Sequence, residues 1–116
     1  MQDLTPGDYL VFQLEAGFAM LRLIGKDERD GESVWHVAAF NEMFPDVDTA
    51  EQTAIENKLS LSLPHAALTT RAFESTQTAR ITNAPVTDEE RARIGSWRAT
   101  GGEISDKSIR LILGWR

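Results

Sequence analysis

Apolar and polar positions alternate from Tyr9 to Leu14, which puts Leu10, Phe12 and Leu14 on one side of an extended segment. Pro6-Gly7 ahead of it is a turn dipeptide, and Glu15-Ala16-Gly17 after it supplies a short glycine-containing hairpin loop. Phe18 to Ile24 is apolar on both sides, the pattern of a central strand buried from two faces, with Arg22 as an interruption. Asp27 to Ser33 contains Asp30-Gly31 and predicts a second turn. Val34 to Phe40 follows as a third strand, with Trp35, Val37 and Ala39 on one side. Short strands joined by tight turns predict a small curved antiparallel sheet, an SH3-like partial barrel.

The pattern weakens after Phe40. Asp48-Thr49-Ala50-Glu51 matches a capping box and predicts a short helix from about Thr49 to Glu56. Leu59, Leu61 and Leu63 alternate with serines as a strand ended by Pro64. Ala66 to Phe73 reads as a further strand, and Ser75 to Ala79 as a polar loop. Ile81 to Val86 is extended and leads to Thr87-Asp88-Glu89-Glu90, a second capping box whose acids suit the positive end of a helix. That helix is expected to run to about Arg98 and to stop before Gly101-Gly102, with Ile94 and Trp97 sharing a face. Ile109, Leu111, Leu113 and Trp115 alternate as a terminal strand. Together these elements predict a single α+β domain over residues 1–116, with five or six strands and one or two short helices.

Charge adds a direction. Twelve basic against eighteen acidic residues leave a net charge of −6. Nucleic-acid binding calls for a basic face, so that class is disfavoured. Glu42, Asp46, Asp48, Glu51 and Glu56 follow one another with no Lys or Arg among them. Such a run reads either as a solvated surface or as an electronegative face for a basic partner. The chain has no cysteine, which removes disulfides, thiol catalysis and cysteine zinc sites and fits a reducing cytoplasm. Neither a signal peptide nor an apolar run of the roughly 20 residues that cross a bilayer is visible.

Candidate chemistry is sparse. His36 and His65 have no metal-motif spacing, and they read as a half-exposed strand residue and a loop residue beside Pro64. There is no Gly-x-Ser-x-Gly elbow, and Gly101-Gly102 lacks the Lys-Ser/Thr of a phosphate loop. Glu89 and Glu90 are explained by helix capping. Arg22 on an apolar strand needs either a carboxylate partner inside the fold or an anionic recognition role. Trp35, Trp97 and Trp115 read as core anchors, and an exposed one would mark an interface. No enzyme, metal or cofactor is expected.

Two segments carry a resemblance. The first is Pro6-Gly7-Asp8-Tyr9-Leu10-Val11-Phe12-Gln13-Leu14 followed by Gly17-Phe18-Ala19-Met20-Leu21-Arg22-Leu23-Ile24. The second is Ile81-Thr82-Asn83-Ala84-Pro85-Val86 before the acidic start at Thr87. Together they resemble the immunity protein 26 family of bacterial toxin-immunity proteins, with Leu21 and Thr82 standing where that family has glycine. The resemblance implies a cytoplasmic protein that occludes a cognate toxin, often a nuclease, and it implies no catalytic residue. The expected partner-binding residues are Glu42, Asp46, Asp48, Glu51, Glu56, Arg22 and Trp35, facing a basic protein rather than nucleic acid or a membrane. An SH3-like module of a larger assembly and a small carboxylate enzyme are the alternatives.

Overall fold

The alternating N-terminal third folds as its pattern predicts. The computed structural model describes residues 3–114. Strands β1 (Asp8–Leu14), β2 (Gly17–Arg29) and β3 (Glu32–Phe40) form a meander that continues into β4 (Leu61–Thr69). β5 (Ala79–Asn83) returns to pair with β1, giving an open antiparallel sheet in the order β4-β3-β2-β1-β5. β2 is the central strand, and residues 19–25 are buried on both of its faces. β2 and β3 run further into the expected turn than the pattern implies. Asp30 and Gly31 take φ of 54° and 81°, and a two-residue turn with both φ positive is enough to join strands of this twist.

Among the described residues four helices cover the curved sheet, giving an α+β fold. α1 (Val47–Ile55) and α3 (Asp88–Ala99) are the two longer helices that the sequence predicts, and α2 (Thr70–Glu74) and α4 (Ile109–Leu113) are single turns. Beneath α1 lie Val11, Met20, Phe40 and Phe44, packed with Ala50 and Ala54 of the helix. Beneath α3 lie Ile24 and Ala38, packed with Ile94 and Trp97. The opposite face is one larger cluster, from Leu10, Phe12 and Leu21 to Leu68, closed by Phe73 of α2 and Ile109 of α4.

Four sequence expectations are corrected. Helix α1 is capped by Asp46, whose side chain accepts from Thr49 N at 2.7 Å, and Asp48 lies inside the first turn. Starting at Val47 still brings Ala50 and Ala54, one turn apart, onto the sheet. Pro64 does not end a strand. It sits within β4, an edge strand, where its missing N–H removes no ladder bond that the sheet needs. The expected strand from Ala66 to Phe73 is instead the end of β4 and the turn of α2, because the Thr69 side chain caps Ala72 N. The expected terminal strand is α4, nucleated by Ser108 bonding Leu111 N and ended by Gly114; Trp115 lies outside the described residues.

Candidate interaction surface and the polar anchors beside it

Arg22 is an anchor. Its side chain points to the α1/α3 face and is 2% exposed. Nε and Nη2 donate to the two carboxylate oxygens of Glu90 at 3.0 Å each. Nη1 donates to Gly7 O at 2.5 Å and Ala84 O at 3.0 Å, and Nη2 donates to Pro85 O at 3.0 Å. Those five bonds use all five guanidinium N–H groups, and the Tyr9 ring covers the group at 4.5 Å. A side chain so enclosed has no donor left for a partner protein. Glu90 closes the capping box by accepting from Thr87 N at 2.9 Å. Burial raises its carboxyl, but the bonds from Arg22 and Thr87 outweigh this and hold it below the usual range.

The two segments that carry the family resemblance therefore meet in space. Besides sharing Arg22, they are joined by Ala84 N to Gly7 O at 3.0 Å and by Asn83 Nδ2 to Asp8 Oδ1 at 2.7 Å. Their residue types serve the junction between the sheet entrance and the start of α3.

A second polar anchor lies at the other end of α3, where sequence reasoning did not look. His36 is fully buried rather than half-exposed, and His65 is in β4 rather than in a loop. Both strands flanking His36 carry an extra residue beside it. β2 goes from Leu23 to Gly25 while β3 goes from Val37 to His36. β4 goes from Leu63 to Ala66 while β3 goes from Ala39 to Val37. Such bulges re-aim side chains, and here they bring His65 Nε2 to 2.8 Å from His36 Nδ1. His36 Nε2 lies 2.9 Å from Asp27 Oδ2, and Arg98 Nη2 lies 2.7 Å and 2.8 Å from the two Asp27 oxygens. The signal in the sequence was a histidine inside a strand buried on both faces, which must find polar partners.

Burial lowers the His36 pKa despite the pull of Asp27. His65 is pushed down to about 4 by burial, by the neighbouring His36 and by Arg93. Burial would raise the Asp27 carboxyl, but its bonds from His36 and Arg98 win and hold it below the usual value. Among the described residues no group of three potential metal ligands converges, here or elsewhere.

The acidic run lies on and around α1, and its members have different jobs. Glu42 accepts from Ser60 N at 2.9 Å and Ser60 Oγ at 2.6 Å, tying the two chain segments that flank α1. Asp46 caps the helix, and Glu56 pairs with Gln52 at 2.8 Å and with Lys58 at 3.2 Å. Asp48 and Glu51 have no such partner among the described residues. Val47, Glu51 and Ile55 recur at four-residue spacing and so run along one flank of the helix. Val47 is 38% exposed and Ile55 61%, with Asp48 beside them. Met43, in the segment leading to α1, is also exposed.

Trp35 belongs to the other face of the sheet. It stacks on Phe73 at 4.4 Å, carries the Lys26 ammonium at 4.3 Å and donates to Thr70 Oγ1 at 2.9 Å. It forms one wall of a cavity of about 430 Å³ shared with Lys26, Phe73 and Thr76. The structure thus groups the acids of α1, encloses Arg22 and sets Trp35 apart from both. No family model matches the chain, and no curated protein or solved structure matches it either.

Proposed function

We propose that this chain is a non-enzymatic binding protein that covers a basic surface of another protein, in the manner of a toxin-immunity protein. The observation that carries this reading is the outer flank of α1, where Asp48 and Glu51, unpartnered among the described residues, are interleaved with exposed Val47 and Ile55. Apolar side chains bordered by one sign of charge suit a partner surface of the opposite sign. A nuclease must hold cations ready for phosphates, and α1 would occupy those cations and exclude the substrate. The resemblance of Pro6–Ile24 and Ile81–Glu90 to the immunity protein 26 family supports the same partner class. On this reading the chain works in the cytoplasm without a cofactor, nucleic acid or membrane. No helix among the described residues is long and apolar enough to cross a membrane.

The test is growth rescue. Cells expressing the toxic C-terminal domain of a secreted protein encoded beside this chain are expected to survive when the chain is co-expressed. The triple change Asp48→Lys, Glu51→Lys and Ile55→Asp is expected to abolish rescue while leaving the fold intact by circular dichroism. Full rescue by the triple variant, or no rescue by the native chain, would overturn the proposal. Binding of the same domain is expected to weaken as salt rises towards 1 M, where screening acts within about 3 Å.

A further inference from the structure

α3 presents little apolar area to the sheet, since Ile94 is its buried residue and Trp97 is half-buried. Beside those two side chains, its C-terminal half is held by a polar chain. Arg98 grips Asp27, Asp27 meets His36, and His36 meets His65. Trp97 stands edge-on to both imidazoles, with ring centres 4.7 Å from His36 and 6.1 Å from His65. Arg93 reaches Pro64 O at 3.2 Å, next to His65. We propose that Asp27, His36 and His65 form a proton-sensitive latch that docks the C-terminal half of α3, so that acid releases this helix before the sheet opens.

The protonation states follow from the partners. A carboxylate only accepts, so His36 donates to Asp27 from Nε2 and accepts at Nδ1, and His65 donates to it from Nε2. A first proton enters at His65 Nδ1 and breaks no bond. It adds a positive charge, however, to a site faced by Arg29 of β2 and by Arg93 and Arg98 of α3. Asp27 of β2 is the nearby carboxylate that offsets this charge. A second proton sets N–H against N–H across the 2.8 Å contact, and the chain of bonds is lost.

Undocking α3 lets both imidazoles titrate near their ordinary value of about 6.5, whereas His65 in the docked state does so only near 4. Undocking therefore takes up protons between these limits. Its equilibrium constant rises by up to about tenfold per pH unit for each ring that charges, or about 100-fold for both.

Amide hydrogen exchange from about pH 7 to about pH 4.5, corrected for intrinsic rates, tests this. Protection of Ile94 to Arg98 is expected to fall more steeply with acid than protection of the β2–β3 ladder. His65→Gln, whose amide can still donate to His36 Nδ1, is expected to flatten the α3 dependence by about tenfold per pH unit. Parallel loss of protection in α3 and the ladder, or an unchanged slope in His65→Gln, would overturn the latch. Imidazole nitrogen shifts at neutral pH give a readout that needs no variant: hydrogen on His36 Nδ1 instead of Nε2 would equally overturn it.

Discussion

α1 and α3 cover the same face of one sheet, yet they are attached by opposite means. α1 is held by small apolar contacts, Ala50 and Ala54 over Val11, Met20, Phe40 and Phe44. Of its two acids without a partner among the described residues, Asp48 is exposed and Glu51 is half-buried on the flank of the helix. α3 turns its charges inward. Glu90 is gripped by buried Arg22 at one end, and Arg98 reaches Asp27 and the histidine pair at the other. Charge on α3 therefore serves docking, whereas Asp48 and Glu51 of α1 have no ion-pair or hydrogen-bond partner among the described residues and, on the proposed reading, are left for a partner. Net charge and acidic runs do not separate these cases, because both helices are acidic in their first turn.

Glycine placement reinforces the contrast. A Cβ at Gly25 would meet Ile94 Cδ1 well inside contact distance, so the bare backbone of β2 leaves room for the Ile94 side chain of α3.

The comparison can be broken at its strongest point first. Arg22→Met leaves Glu90 and three carbonyls without their buried donor, and it is expected to destabilise the protein by about 3–5 kcal/mol in urea unfolding. A loss below about 1 kcal/mol would mean that α3 is not held by its charges. Ile94→Ala removes the main apolar contact of α3 and is expected to cost about 2–4 kcal/mol. Acid comes next. Both imidazoles are held below their ordinary values in the fold, so the unfolded chain takes up protons first. Stability is whole above about pH 6.5 and falls as the pH drops towards the His65 value of about 4. Thermal midpoints across that window should decline in the native chain and less so in His65→Gln.

Three smaller changes sharpen the contrast. Thr87→Ala dissolves the capping box of α3 and is expected to cost about 1 kcal/mol, as is Asp46→Ala at the cap of α1. The pair Asp48→Asn and Glu51→Gln should alter stability by no more than about 0.5 kcal/mol. If the proposed function holds, the same pair weakens capture of the basic partner domain. If it destabilised the fold as much as a cap change does, these two acids of α1 would be structural after all.

Much of the fold was legible from local pattern. The alternation of Leu10, Phe12 and Leu14, the two-sided burial of β2 and the Thr87 capping box all act within a few residues of themselves. The terminal segment misled because Ile109, Leu111 and Leu113 alternate like a strand, whereas Ser108 and Gly114 supply both caps of a helical turn. The acidic part of the proposed partner-binding set was legible only as a charge run. Sequence could not divide Asp48 and Glu51, which are unpartnered among the described residues, from Glu42, Asp46 and Glu56, which bond nearby groups.

The sequence by itself determined the curved antiparallel sheet, its central strand and the two longer helices, because periodicity and capping are local properties of the chain. Tertiary structure decided where the polar residues went. Arg22 meets Glu90 across 68 positions and His36 meets His65 across 29. Those encounters depend on strand order and on two bulges that shift the register beside His36. A buried charge or imidazole must find its partner in space, and spacing along the chain does not say which partner that is.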